Sequence, residues 1–343
     1  EPQQFIEDVL FLYVANGVTI VRGMQGAEGQ LELRSRVNAG ELVGPNLYLA
    51  GSSFNGDDVT TPEAAIEKVR AQKEEGWHLL KVQSGLSVAT YDGMADTAQV
   101  ENMRFGGHVP ADVGLIHAIE SGQETFDHLD GYVEYVADEE GNLDQARLGE
   151  VVTRTRDAGA WVVPTMAIRE ALRGALSVET VRSYPETQYM PPALVDQWVT
   201  RVESIFENPD FDPDTPRQLI SNRMQMLSSL HEGGVGVLLG TDAPQVFSVP
   251  GFSVHREMER MVAAGMTPYE VIASGTRNVG EYFRNEDDFG TIEVGSRADL
   301  ILVEANPLDD VRNITSRAGV MVRGRWLPEA DIQRRLAEIA ASY

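Results

Sequence analysis

The 343-residue chain carries 28 Lys and Arg against 53 Asp and Glu, a formal net charge of −25, which repels phosphate backbones and argues against nucleic acid as a partner. It contains no cysteine, so disulfides and thiolate metal sites are excluded and the compartment stays open. Its longest apolar runs are strand-sized, too short for a transmembrane span.

The chain opens with PQQFIEDVLFLYVANG, apolar at Phe5, Val9, Leu10, Leu12 and Tyr13 and ended by Asn16-Gly17, which is a helix with a glycine stop. Seven apolar, β-branched runs follow, at 17–24, 46–51, 78–83, 104–109, 125–129, 161–166 and 236–242. Stretches with helical periodicity separate them, so they read as buried parallel strands. The loops are short except near 131–143 and 185–215. The second, rich in prolines, aromatics and acids, is either a lid or substrate wall or a plain helical excursion on the surface. Thr267-Pro268-Tyr269-Glu270 is a helix start, with threonine at the cap, proline in the first helical position and glutamate three after the cap. After Gly290, TIEVG, ADLILVEA and VMVRGRW alternate as short strands.

Strand, loop and helix in repetition is the layout of a (β/α)8 TIM barrel, whose chemistry gathers at the carboxyl ends of its strands. Four residues occupy such ends: Lys81 in HLLKVQSG, His108 in RFGGHVP, His128 in TFDHLDG and Asp242 in GVLLGTDAP. An ammonium at Lys81 needs water, a partner or chemistry. A neutral amine there can take up carbon dioxide to give a carbamate with two anionic oxygens; a salt bridge is the structural alternative. His108 and His128 lie one strand-helix unit apart, so their imidazoles project from adjacent strands and can share one ion at about 2.0–2.1 Å. A carboxylate at Asp242 can bind metal and take and return a proton, or merely cap the turn before Pro244. Tyr132 and Arg169 are candidates for holding a substrate carboxylate or polarising a carbonyl, and His255 for touching substrate at the site mouth. His78, His117 and His231 are read as structural.

Taken in order, GVTIVRGM, LLKVQSG, GGHV, ETFDHLDG, WVVPTM, LLGTDAP, VHREMERMVAAGMTPYEVIASGTRNVGEYF and FGTIEVGSRADLILVEANPL resemble the imidazolonepropionase- and prolidase-like branch of the metal-dependent amidohydrolase superfamily, over nearly the whole chain. The resemblance implies one or two divalent metal ions, zinc foremost. It places a bridging carbamate on Lys81, metal ligation on His108 and His128, and ligation with proton shuttling on Asp242. It further implies hydrolysis of a C–N bond in a small-molecule or dipeptide substrate, with lactones and phosphotriesters as alternatives, and is compatible with a homo-oligomer.

One departure stands out. The superfamily's strand-1 His-x-His is missing, since no two of the six histidines are two residues apart. Seven strands leave two unpaired edges, so the expectation is that an upstream segment supplies strand 1 and partners for the C-terminal strands. The expected division is a barrel over 1–289 and a partial β-sandwich with a terminal helix over 290–343. Without strand-1 ligands, a metal-poor binding scaffold is the competing reading. A phosphate-binding isomerase is disfavoured, because no glycine-rich phosphate loop follows the last two strands.

Overall fold

The computed structural model describes residues 3–343. Helix α1 (Gln3–Ala15) leads through Gly17, whose φ of 79° needs glycine's freedom, into β1 (Ile20–Gly23). Then alternate α2 (Gln30–Asn38), β2 (Asn46–Leu49), α3 (Pro62–Glu75), β3 (Leu79–Val82), α4 (Val88–Val100), β4 (Arg104–Gly107), α5 (Leu115–Glu120) and β5 (Thr125–Asp127). Two helices, α6 (Tyr132–Val136) and α7 (Gln145–Asp157), precede β6 (Trp161–Val163). Four more follow it: α8 (Met166–Leu172), α9 (Val178–Arg182), α10 (Pro192–Phe206) and α11 (Asp214–Glu232). After β7 (Gly236–Val237) come α12 (Ser253–Ala263), α13 (Pro268–Ser274) and α14 (Arg277–Phe283).

The seven strands are parallel and neighbours in chain order: β1 pairs β2, and β3 through β7 form one sheet. Bridges Ala50–Leu79 and Phe54–Val82 join the two groups. This is the succession of a (β/α) barrel, with every strand's carboxyl end on one face. Among the described residues no strand pairs β7 with β1. Helix α1 lies at that seam, leading directly into β1 while the Tyr13 hydroxyl donates to the carbonyl of Ala243, past β7.

All seven expected strands are present but shorter than their apolar runs. The greatest loss is in the last, where the Leu238 N–H still donates to the Val162 carbonyl of β6 but the Leu239 N–H turns to the carbonyl of Ser274 and the chain leaves the ladder. The stretch around 185–215 is mainly helical, and Trp198 of α10 packs on Phe247 in the loop beyond β7. Thr267 and Glu270 form the expected capping box of α13.

Beyond Gly290, β8 (Leu300–Val303), β9 (Arg317–Val322) and β10 (Arg325–Pro328) make one antiparallel sheet in the order β10-β9-β8, followed by α15 (Glu329–Ser342). The segment TIEVG is not a strand: Ile292 and Val294 are exposed in irregular backbone and a turn, without a neighbouring strand to hydrogen-bond them. Among the described residues these three strands form a single sheet, and no helix is long and apolar enough to cross a membrane.

Candidate active site

Lys81 is in β3, His108 follows β4, His128 follows β5 and Asp242 lies beyond β7, so all four emerge on one face of the sheet. The structure brings them together. The His108 and His128 rings are 4.8 Å apart between centroids, and His128 Nε2 is 3.6 Å from Asp242 Oδ2. Gly107 makes room for the lysine: at its φ of 131°, an added Cβ would stand 2.8 Å from Lys81 Cδ and would collide with the Val82 carbonyl.

The buried Lys81 ammonium has found a partner in Asp127, at 2.8 Å. Asp127 is shared, because Arg22 reaches in from β1 to the other carboxylate oxygen at 2.8 Å and to the Thr125 hydroxyl at 2.7 Å. Burial opposes the ionisation of Asp127, but Lys81, Arg22 and His128 outweigh it and hold this carboxyl far below the usual carboxylate range. A cation–anion–cation layer thus crosses the interior just beneath the histidines.

Each histidine is held at Nδ1, leaving Nε2 free of protein partners closer than Asp242. His108 Nδ1 pairs with Asp130 Oδ2 at 2.6 Å, and Asp130 Oδ1 accepts from Arg169 at 2.9 Å. Burial works against the charge on Asp130, but the hydrogen bond from His108 and the Arg169 guanidinium keep its pKa low. His128 Nδ1 pairs with the Thr165 hydroxyl at 2.7 Å. Burial pushes His128 down to about 3, so the ring is neutral at ordinary pH, the form in which imidazole ligates. Asp242 moves the opposite way, with burial raising its pKa; Gln245 donates to its Oδ2 at 2.5 Å.

Three further candidates meet different fates. Arg169 is at the site, on α8, tied to Asp130. Tyr132 is not: it is wholly buried, packs edge-on against Phe126 and bonds the Thr155 hydroxyl at 3.0 Å. Its position four residues after His128 starts α6, which turns the ring into the core. His255 also departs from expectation. The first turn of α12 points it at α1, where Nε2 meets Asn16 at 3.1 Å in a buried setting. His78, just before β3, accepts from the Leu49 N–H, while His117 pairs with Asp92 and His231 with Glu270, all structural.

Several participants went unnoticed in the sequence. Asp127 and Asp130 flank His128 within TFDHLDG, and Arg22 is a charge inside an apolar strand run, so all three carried a signal. Arg223 on α11 carried none. It is buried, its Nε and Nη2 lack partners, and burial lowers its pKa to about 10. Among the described residues, no three His, Asp or Glu side chains stand close enough together to hold an ion. A cavity of about 690 Å³ opens elsewhere, at the amino ends of the strands around Arg104, Glu124 and Trp161.

The model of the Amidohydrolase family matches residues 13–327. The chain belongs to the amidohydrolase family. Among curated proteins, the ochratoxinase of Aspergillus niger is 22% identical over 347 residues, covering 87% of this chain. This chain spans 62% of that protein's length. Among solved structures, bottromycin amidohydrolase superposes with a TM-score of 0.76 at 22% identity, covering 98% of this chain and 78% of the other. An Xaa-Pro dipeptidase with bound methionine does so at 0.69 and 20%, covering 96% and 80%. These likenesses show the fold of the family.

Proposed function

We propose that the protein is a metal-dependent hydrolase that opens a C–N bond in a small amide, cyclic amide or dipeptide. The observation that carries this reading is the facing pair of His128 Nε2 and Asp242 Oδ2 at 3.6 Å, with the His108 ring alongside. Two donor atoms on one tetrahedral ion, each about 2.0–2.1 Å from it, stand roughly 3.3 Å apart. The pair therefore fits an ion with little movement.

In this reading His128 and Asp242 would hold the metal where they already face each other, His108 would close on it from alongside, and Lys81 would join them as its carbamate. Conversion of Lys81 would replace one counterion of Asp127 by an anion, leaving Arg22 and the bound ion to compensate the two negative groups. When bound, a divalent ion supplies Lewis acidity, polarising a carbonyl and acidifying a water toward a pKa of about 7. Asp242 accepts the proton of the attacking water and returns it to the leaving nitrogen. Arg169 and Arg223, whose Nε atoms are buried without partners, are placed to receive an anionic group of the substrate. Kinship with an amidohydrolase and an Xaa-Pro dipeptidase favours C–N bonds over lactones and phosphotriesters.

The test is turnover of a panel of dipeptides and N-acyl amino acids, before and after chelation and with Zn, Mn or Co restored. Chelator-sensitive amide hydrolysis is expected, with about one or two ions per chain by elemental analysis and most of that metal lost in His128→Ala. Hydrolysis that ignores chelators, or unchanged metal content in His128→Ala, overturns the metal assignment. The Lys81–Asp127 ion pair favours a second reading, a binding scaffold without metal; absence of both metal and turnover would select it.

A further inference from the structure

Helix α12 turns an apolar face inward through Met258 and Met261, and places the carboxylate of Glu257 on the same face with no exposure to solvent. Each carboxylate oxygen accepts one backbone N–H, from Met166 and from Ala167, both at 2.8 Å. These are the first two N–H groups of α8, among the four that have no partner within the helix; the second is one that a capping side chain can take. The residue at that cap is Thr165, a good capping type, yet its side chain makes no capping bond. Its hydroxyl is engaged with His128 Nδ1 instead, and its φ of 45° points the chain away from capping geometry. Glu257 does from another helix what Thr165 has been released from doing.

Helix α8 also connects to the other histidine, because Arg169, one turn further along, holds Asp130, which holds His108. We propose that Glu257 is a positioning residue, fixing the start of α8 so that Thr165 and Arg169 orient the imidazoles of His128 and His108. Two charged groups on the packed elements face it: Glu170 of α8, itself tied to Arg260, and Arg223 of α11, whose positive charge favours the carboxylate. The effect on turnover rests on the hydrolase reading above; the effect on the imidazoles does not.

The experiment compares wild type with Glu257→Gln, which keeps the volume but turns an NH2 toward one of the two backbone N–H groups. The metal-free proteins are labelled with ¹⁵N-histidine, and long-range ¹⁵N–¹H correlations report which ring nitrogen carries the proton. Wild-type His128 is expected as a single species protonated at Nδ1. In the variant it is expected as a mixture of tautomers, with kcat at least about tenfold lower and KM little changed, the scale found for outer-sphere partners of metal sites. Should Glu257→Gln fail to fold, Glu257→Asp, which keeps the charge but withdraws it by one methylene, carries the same readout. A folded variant with the wild-type imidazole pattern overturns the positioning role, whatever its activity. Altered tautomers in a protein whose wild type hydrolyses no amide would retain the positioning role and remove the hydrolase reading.

Discussion

His128 and Asp242 face each other across the carboxyl ends of β5 and β7, Nε2 to Oδ2 at 3.6 Å, and both stand on left-handed backbone, with φ of 63° and 56°. Thr165, which holds the far side of the His128 ring, has φ of 45°. Non-glycine residues in this region cost about 1–3 kcal/mol each and persist where the surroundings impose them. Three such residues, two of them in contact with the third, His128, concentrate strain where the chemistry is proposed. The strain serves geometry: a continued strand would direct alternate side chains to opposite faces, whereas the left-handed turn swings each ring or carboxylate over the barrel mouth.

The Thr165 hydroxyl is therefore expected to matter more for ligand orientation than for folding. Thr165→Val preserves shape and branching but removes the partner of His128 Nδ1. Metal affinity, measured by chelator competition, should weaken about 10–100-fold, against a stability loss of about 1 kcal/mol in urea. An unchanged affinity would show that the ring is fixed by packing alone.

The layer of Arg22, Asp127 and Lys81 makes an asymmetric prediction. Asp127→Ala leaves two cations without their shared anion in a buried setting and should cost about 3–5 kcal/mol. Lys81→Met removes one cation while Arg22 still compensates Asp127, and should cost clearly less. Urea midpoints of the two variants settle the matter; equal losses would mean that Arg22 does not compensate the carboxylate.

How far the sequence revealed this arrangement depends on how local each signal is. His108, His128 and Asp242 each terminate an apolar run, and a parallel barrel makes strand ends neighbours, so their convergence was legible. Tyr132 and His255 were misjudged for one reason: proximity in sequence to a strand end says nothing about the facing of a helical side chain, which a 100° rotation per residue reverses within two positions. Glu257 was invisible because its partners are backbone N–H groups of a distant segment, and backbone donors leave no mark on residue type. The shortness of β7 was equally hidden, since the apolar run 236–242 satisfies both a strand and a buried irregular segment.

Glu257 also predicts a pH signature of stability. Burial raises its pKa to about 7 from an ordinary value of 4.5, against the opposing pull of the N–H groups of Ala167 and Met166. Below 4.5 both folded and unfolded chains hold the proton, and the contribution to stability is fully present. As pH rises toward 7 only the unfolded chain releases it, so this contribution falls and is lost beyond the folded pKa. The wild-type melting temperature minus that of Glu257→Gln should therefore decline between about pH 4.5 and 7 and then level off. A difference that is flat across this window would place the titration elsewhere.

Arg223 offers the sharpest separation of structure from function. A buried guanidinium with two unpartnered nitrogens is costly, and replacing such a charge with an apolar side chain of similar reach is often neutral or stabilising, by roughly 1–4 kcal/mol. Arg223→Met is accordingly expected to raise the urea midpoint. If the guanidinium serves an anionic substrate group beside Arg169, the same variant should raise KM for a dipeptide with a free C-terminal carboxylate and leave KM for its C-terminal amide unchanged. Arg169→Met should differ by lowering kcat for both substrates, because it also releases Asp130 and with it His108. A stabilised Arg223→Met with equal KM values for carboxylate and amide would assign Arg223 to the fold alone and leave Arg169 as the sole candidate for the substrate's anionic end.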